Sequence, residues 1–134
     1  MRFNIINQRR CIKLLERVKV VSKLYKASGK SMFEFMSKFR DLNNEIQAQT
    51  IQTFLYIAMS EKREIPMGEL GDALGLSQAS VSRNISFFAK VNRHGSKGAN
   101  LLGSREDPQE RRRKLVHLTS RGTQFFAELE SKWS

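Results

Sequence analysis

The segment LGLSQASVSRNIS at residues 74–86 combines small polar side chains with the spacing of a packed helix. Leu74, Val81 and Ile85 recur at helical intervals, which predicts one buried face. The side chains between them are short or hydrogen-bonding, and groups of that kind are slim enough to enter the major groove of a DNA duplex. The residues expected to form this outer face are Ser77, Gln78, Ala79, Ser80, Ser82, Arg83 and Asn84.

The outer face carries groups that are able to recognise bases. Arg83 is suited to bond the O6 and N7 of a guanine, Gln78 is suited to pair with adenine, and Ala79 is suited to touch a thymine methyl group. The serines are expected to bind phosphate, which sets the register without reading the sequence. The alternative is a helix pair that serves only for packing or for docking a partner protein.

Two helices joined by a sharp turn are predicted to carry this segment. Pro66 suits the first turn of a helix because its φ angle is fixed near the helical value. Gly75 suits the helix end, where a left-handed residue costs least as glycine, and Ser77 is expected to cap a second helix over 77–90. A short glycine-containing turn between two helices is typical of a helix-turn-helix, whose second helix touches bases with its first turns.

A basic hairpin is predicted over residues 101–118. Leu101-Leu102 and the stretch 115–118 are expected to be short strands, and Asp107-Pro108 is a turn signal between them. An ordinary solvated turn is the alternative for the RRRK run at 111–114. The hairpin residues expected to contact DNA are Arg105, Arg111, Arg112, Arg113 and Lys114.

The remaining elements are predicted to be helical. An apolar stripe with a basic outer face predicts a first helix that ends at Ser28-Gly29, and the pair Ser31 and Glu34 predicts a capping box for the next. Asn43-Asn44 is expected to interrupt that second helix, and a third carries Ile51 to Ala58. A strand of one or two residues is expected near Ile65, and Thr119 is expected to cap a last helix. The expected fold class is therefore mostly α with a small β-hairpin wing, a winged helix-turn-helix with added N-terminal helices.

The net charge of +11 is distributed unevenly along the 134 residues. Residues 1–30 hold nine Lys or Arg and one acid, residues 31–89 hold five and seven, and residues 90–121 hold nine and three. Two basic regions that flank a slightly acidic middle indicate a polyanionic partner, either nucleic acid or an anionic membrane surface, with generic solubility charge as the alternative. No apolar run is long enough to span a membrane and no secretion signal is apparent, so a cytoplasmic location without membrane insertion is expected.

The other reactive residue types form no recognisable site. Cys11, the one cysteine, lies on an apolar stripe among basic neighbours, so it is either a small buried side chain or an oxidant-sensing thiol. His94 and His117 lack nearby ligand partners, which argues against a metal site. No nucleotide-binding loop or catalytic set is present. We therefore expect a protein that is not an enzyme and needs no cofactor.

Three sequence pieces in order resemble the MarR-type winged-helix transcriptional regulators. They are IQTFLYIAM, GELGDALGLSQASVSRNISFF and EDPQERRRKLVHLTSRG, and the resemblance runs from about Thr50 to Gly122. Glu110 and Gly71 depart from the usual Asp and Ala, and the segment between Phe88 and Leu101 is longer than usual. The C-terminal helical region is also shorter than usual.

The resemblance implies a homodimer on a pseudo-palindromic operator, with helix 77–90 in the major groove and Arg112 of the wing in the minor groove. The implied divisions are dimerisation helices over 1–48, a DNA-binding lobe over 49–122 and a C-terminal helix over 123–134. A small-molecule effector pocket lined by the Met- and Phe-rich second helix is one possibility, and plain core is the other.

The expected function is a sequence-specific, double-stranded-DNA-binding regulator that acts as a dimeric repressor. Two alternatives stay open: a winged-helix module that docks a protein partner, and a replication or packaging protein of a mobile element.

Overall fold

The structure, a computed structural model, describes residues 26–91 and 95–133. The predictions for Cys11, for the basic face of the first helix and for His94 lie outside the described residues. The described elements are helix α1 over residues 26–42, α2 over Ala48–Met59, strand β1 over Ile65–Pro66, α3 over Met67–Leu74, α4 over Gln78–Phe88, β2 over Leu102–Glu106, β3 over Lys114–Leu118 and α5 over Ser120–Trp133.

Helix α1 runs without a break through the positions where one helix was predicted to end and another to begin. The predicted end at Ser28-Gly29 and the predicted start at Ser31 are therefore wrong. A glycine costs only about 1 kcal/mol relative to alanine inside a helix, and helical hydrogen bonding is cooperative, so one weak residue does not end it. The helix does end before Asn43, as predicted, and the Asn43 side-chain oxygen accepts a bond from the Glu45 backbone N–H at 2.8 Å.

The turn between α3 and α4 has the predicted geometry. Gly75 adopts a left-handed conformation with φ 65°, and the Leu76 N–H donates to the Gly71 carbonyl at 3.0 Å. Ser77 caps α4, because its hydroxyl oxygen accepts from the Ser80 N–H at 3.2 Å. The prediction of a helix-turn-helix is confirmed, with α4 ending at Phe88 rather than at residue 90.

The predicted hairpin is confirmed, and the short strand expected near Ile65 adds a third strand to it. The antiparallel sheet has the order β1-β3-β2, with Ile65 opposite Val116 and Leu102 opposite Leu118. Pro66 pairs with Leu115 and also occupies the cap position of α3. The sheet thereby ties the base of the wing to the start of the helix-turn-helix.

A cluster of phenylalanine rings forms the centre of the core. The Phe54 ring lies 5.7 Å from Phe39, 5.3 Å from Phe88 and 5.5 Å from Phe125, measured between centroids. These contacts join α1, α2, α4 and α5, and each aromatic pair adds about 0.5–1.5 kcal/mol beyond the burial of its area. Thr119 caps α5, as predicted, by accepting from the Gly122 N–H at 3.0 Å. Helix α5 is thus fixed to the same core that orients α4.

Among residues 26–91 and 95–133, none of the helices has the length and apolar character to cross a membrane.

Candidate nucleic-acid interface

Helix α4 presents most of the predicted polar face to solvent. Val81, Ile85 and Phe88 are buried against the core, which fixes the inner side of the helix. The predicted contact residues that are exposed are Ser77, Gln78, Ala79, Ser82 and Arg83, while Ser80 is half-buried. An open row of short polar groups beside one arginine is therefore available to a ligand.

Three of these side chains form a hydrogen-bonded chain along the first turns of α4. The Ser77 hydroxyl donates to the Ser80 hydroxyl oxygen at 3.0 Å, and Arg83 Nη2 donates to the same oxygen at 3.2 Å. Arg83 consequently lies back along the helix towards Ser80. Its other guanidinium N–H groups have no partner among the described residues, so they remain available to an acceptor.

Asn84 does not belong to the outer face, which corrects its place among the predicted contact residues. The residue is only 5% exposed. Thr50 Oγ1 donates to Asn84 Oδ1 at 3.0 Å, and Asn84 Nδ2 donates to Thr53 Oγ1 at 3.1 Å. Successive helical residues turn by about 100°, which places Asn84 about 40° from Phe88 and about 60° from Val81 around the helix, on the same inner side. The apolar spacing alone contained this signal, but the polar residue type favoured the outer face.

The wing cations fall into two groups. Arg111, Arg112 and Lys114 are exposed and form no ion pair within the described part of the chain. Arg113 is paired with Asp107, with Nε 2.7 Å and Nη2 2.6 Å from Oδ2. Arg105 is paired with Glu64 through Nε and Nη2. Three of the five wing residues predicted to contact DNA thus carry unpaired charges. The other two form ion pairs within the protein.

Asp107 organises the wing tip. Its side chain is almost fully buried and accepts from the Gln109 backbone N–H at 2.9 Å. This backbone bond, together with the bonding and charge of Arg113, lowers the pKa of the Asp107 carboxyl below its ordinary value against the opposing effect of burial. The Asp107 N–H also donates to the Arg113 carbonyl at 2.8 Å. Glu110, the departure from the resembled pattern, joins this turn through its backbone N–H and carbonyl.

A groove of about 1070 Å³ separates the helix-turn-helix from the wing. Its lining includes Gln78 and Ser82 of α4 and Arg112 and Lys114 of the wing. Helix α3 contributes much of the remaining lining, with the two acids Glu69 and Asp72, and Glu69 forms an ion pair with Lys62 at 2.8 Å. Residues of both predicted contact elements therefore line one concave surface.

No family model and no curated protein matches the chain. Several solved structures share its fold. The S. aureus MepR–DNA complex is 17% identical, with a TM-score of 0.58 over 90% of this chain and 82% of that one. AbsC, a MarR family transcriptional regulator from Streptomyces coelicolor, is 14% identical, with a TM-score of 0.56 over 98% and 76%. Overoxidised AbfR bound to DNA is 15% identical, with a TM-score of 0.54 over 95% and 80%.

These likenesses extend over at least 90% of this chain and over at least three quarters of each of these neighbours. The chain therefore has the winged helix-turn-helix fold of the MarR-type transcriptional regulators.

Proposed function

We propose that the protein is a sequence-specific regulator of transcription that binds double-stranded DNA and acts without catalysis. The observation that carries this proposal is the open polar face of α4, which shares one groove with two unpaired wing cations, Arg112 and Lys114. A face walled off by other elements would have excluded base contact. Two of the similar folds, MepR and AbfR, are known as complexes with DNA, which supports the same use of this fold.

In the proposed complex the first turns of α4 enter the major groove, which is about 12 Å wide in B-DNA. Arg83 and Gln78 read base edges there, and the serines bind phosphate. Arg112 of the wing enters the adjacent minor groove, where a narrow A·T-rich segment concentrates negative potential. Arg111 and Lys114 neutralise flanking phosphates. The concave surface between α4 and the wing then accommodates the DNA backbone.

A homodimer is part of the proposal because large apolar side chains are exposed on the helices outside the winged domain. They are Met32, Phe33 and Met36 of α1 and Trp133 of α5. The Trp133 ring also contacts Phe35 at a centroid distance of 5.9 Å, which joins the two helices. Clustered exposed apolar side chains mark interaction surfaces. A second copy packed there about a two-fold axis would pair the two α4 helices.

The dimer predicts a pseudo-palindromic operator with half-sites about one helical turn apart, since each α4 helix occupies one of two successive major grooves. Repression is the proposed outcome, because a bound dimer occupies duplex that the transcription machinery needs.

Selection of bound fragments from random duplex DNA tests the proposal. The expected result is an enriched palindromic consensus at about physiological salt, where non-specific binding has Kd values of about 10⁻⁴–10⁻⁶ M. A matched selection with a variant that lacks Arg83 and Arg112 controls for charge-driven capture. Equal recovery of all sequences by the unmodified protein would contradict the proposal, and a consensus without two-fold symmetry would contradict the dimer.

A further inference from the structure

A small polar network is buried between the proposed recognition helix and α2. Asn84, Thr50 and Thr53 are all at most 6% exposed. The Asn84 side chain reaches two hydroxyls that lie three residues apart on one face of α2. Around it the contact between these helices is apolar, from Val81, Ile85 and Phe88. The network therefore adds hydrogen bonds to a contact between α2 and α4 that is otherwise apolar.

The hydrogen bonds of the network allow one orientation of the amide. Thr53 Oγ1 donates its proton to the Gln49 carbonyl at 2.8 Å, so its oxygen is left to accept from Asn84 Nδ2. Thr50 Oγ1 in turn donates to Asn84 Oδ1. Exchanging the amide oxygen and nitrogen would set the oxygen against a hydroxyl whose proton is already used. Both ends of the Asn84 side chain are consequently fixed to α2.

Apolar packing and hydrogen bonding constrain a helix differently. Dispersion and hydrophobic contacts depend weakly on direction, whereas a hydrogen bond weakens steeply with distance and angle. At the rim of a helix, about 5–6 Å from its axis, a rotation of about 10° moves a side chain by about 1 Å. A displacement of that size is enough to break the alignment of Arg83 or Gln78 with a base edge.

We propose that Asn84 is a positioning residue for base readout: its bonds to Thr50 and Thr53 fix the rotation of α4 about its own axis. The bonds hold the inner side of the helix, and the outer face of Gln78, Ser82 and Arg83 is thereby presented at one angle. The residue touches no DNA itself. This inference rests on the proposed function, since it assigns the angular precision that sequence-specific binding needs.

Two substitutions at Thr53 separate the hydrogen bond from the packing. Thr53→Val keeps the side-chain shape and removes the hydroxyl, while Thr53→Ser keeps the hydroxyl and removes the methyl group. Each is compared with the unmodified protein for thermal unfolding and for the specificity ratio, which is the Kd for a consensus duplex with one changed base pair divided by the Kd for the consensus. We expect the ratio to fall about tenfold in Thr53→Val, the discrimination of one misaligned base contact. It should stay within about twofold in Thr53→Ser, which keeps the bond.

A fully apolar variant, Thr50→Val with Thr53→Val and Asn84→Leu, covers the case in which Thr53→Val does not fold. It leaves no buried group of the network unpaired, so the fold is expected to survive. We expect it to bind non-specific duplex as tightly as the unmodified protein but to lose the specificity ratio. An unchanged ratio in Thr53→Val or in the apolar variant overturns the positioning role. A specificity ratio that falls as far in Thr53→Ser as in Thr53→Val also overturns the positioning role.

The specificity ratio of the unmodified protein distinguishes a failure of the proposed function from a failure of the positioning role. A specificity ratio near one for the unmodified protein would overturn the proposed function and the positioning role together. A high ratio that none of the variants changes would overturn the positioning role alone.

Discussion

Arg105 Nε donates to both carboxylate oxygens of Glu64 at 3.0 Å, and Nη2 lies 2.9 Å from one of them. The two residues are 41 positions apart in sequence, and the ion pair ties β2 of the wing to the segment before β1. The positive charge of Arg105 is thus already balanced in the free protein. Arg112, by contrast, has no ion-pair partner among the described residues.

This difference predicts unequal contributions of the two arginines to the salt dependence of DNA binding. Each phosphate neutralised on B-DNA contributes about 0.9 to the slope of log K against log salt. We expect Arg112→Ala to reduce the slope by about that amount, and Arg105→Ala to reduce it by clearly less. Fluorescence anisotropy titrations of a consensus duplex across a series of salt concentrations measure both slopes.

Glu64→Gln is the matched control for Arg105. It removes the balancing charge and leaves the arginine in place, so the slope should become steeper than that of the unmodified protein. Equal reductions in Arg105→Ala and Arg112→Ala, with no effect of Glu64→Gln, would show that the ion pair opens on DNA.

Arg83 is expected to control which base pairs are preferred. A bidentate arginine–guanine contact discriminates by about 1–3 kcal/mol, so Arg83→Ala should relax the preference at one position in each half-site. Arg112→Ala should weaken binding with a smaller change in preference. Selection from random duplex DNA with each variant measures the preference at every position. A consensus that is identical for Arg83→Ala and the unmodified protein would remove Arg83 from the proposed readout.

The elements that depend on local chemistry were predictable from sequence. Ser77 as a cap and Gly75 as a left-handed helix end follow from the conformational preferences of those residue types, and the hairpin follows from its turn signal and flanking strands. The inward orientation of Asn84 follows from the helical spacing of its apolar neighbours, but its polar type favoured the outer face, and its partners Thr50 and Thr53 lie on another helix.

Chain segments distant in sequence set the roles of other site residues. The partner of Arg105 lies outside the wing, so no pattern within the hairpin distinguishes Arg105 from Arg112. The continuity of α1 through Gly29 likewise reflects the whole helix rather than the local sequence. Local rules thus predict where the contact elements lie, and tertiary contacts decide which of their side chains are available.

Gly122 is required by the close approach of α5 to the start of the wing. A Cβ at this position would overlap the Leu101 carbonyl oxygen and lie 3.0 Å from Leu118 Cδ2. Leu101 is buried in the core, and α5 is anchored to the same core through the buried Leu129, so a shift at either side disturbs packed residues. We expect Gly122→Ala to lower the free energy of unfolding by about 1–3 kcal/mol, the usual cost of overpacking. Urea denaturation measures the loss.

Gly68→Ala is the matched control for this substitution. Gly68 lies in α3, and a Cβ there meets no atom within 4 Å. The change should raise the free energy of unfolding by about 0.5–1 kcal/mol, because alanine loses less conformational freedom in a helix. A stabilising effect of Gly122→Ala would show that α5 sits differently against Leu101.

The Asp107–Arg113 pair predicts a defined pH range for wing stability. Because the pKa of Asp107 is lowered in the folded protein, its carboxylate stabilises the fold above the pKa of the unfolded chain, about 3.9. That stabilisation is lost as the pH falls through the lower, folded pKa. Asp107→Asn, which keeps the acceptor for Gln109, should therefore unfold at a lower temperature than the unmodified protein. The difference should be constant at neutral and mildly acidic pH and should narrow only below about pH 4. If this difference in unfolding temperature narrowed already near pH 6, the stabilisation would come from a group other than Asp107.

The exposed face of α1 predicts how the protein associates. Phe33 is 72% exposed beside Met32 and Met36, and a carboxylate placed there would have to be desolvated in a dimer. We expect Phe33→Glu to fold normally but to sediment as a monomer, and to bind the consensus duplex more weakly because only one α4 helix engages. Met59→Glu is the control, since Met59 is 67% exposed at the end of α2, on a different helix. It should remain dimeric. Sedimentation velocity gives the mass of each variant, and a Phe33→Glu protein that stays dimeric would exclude this face of α1 from the interface.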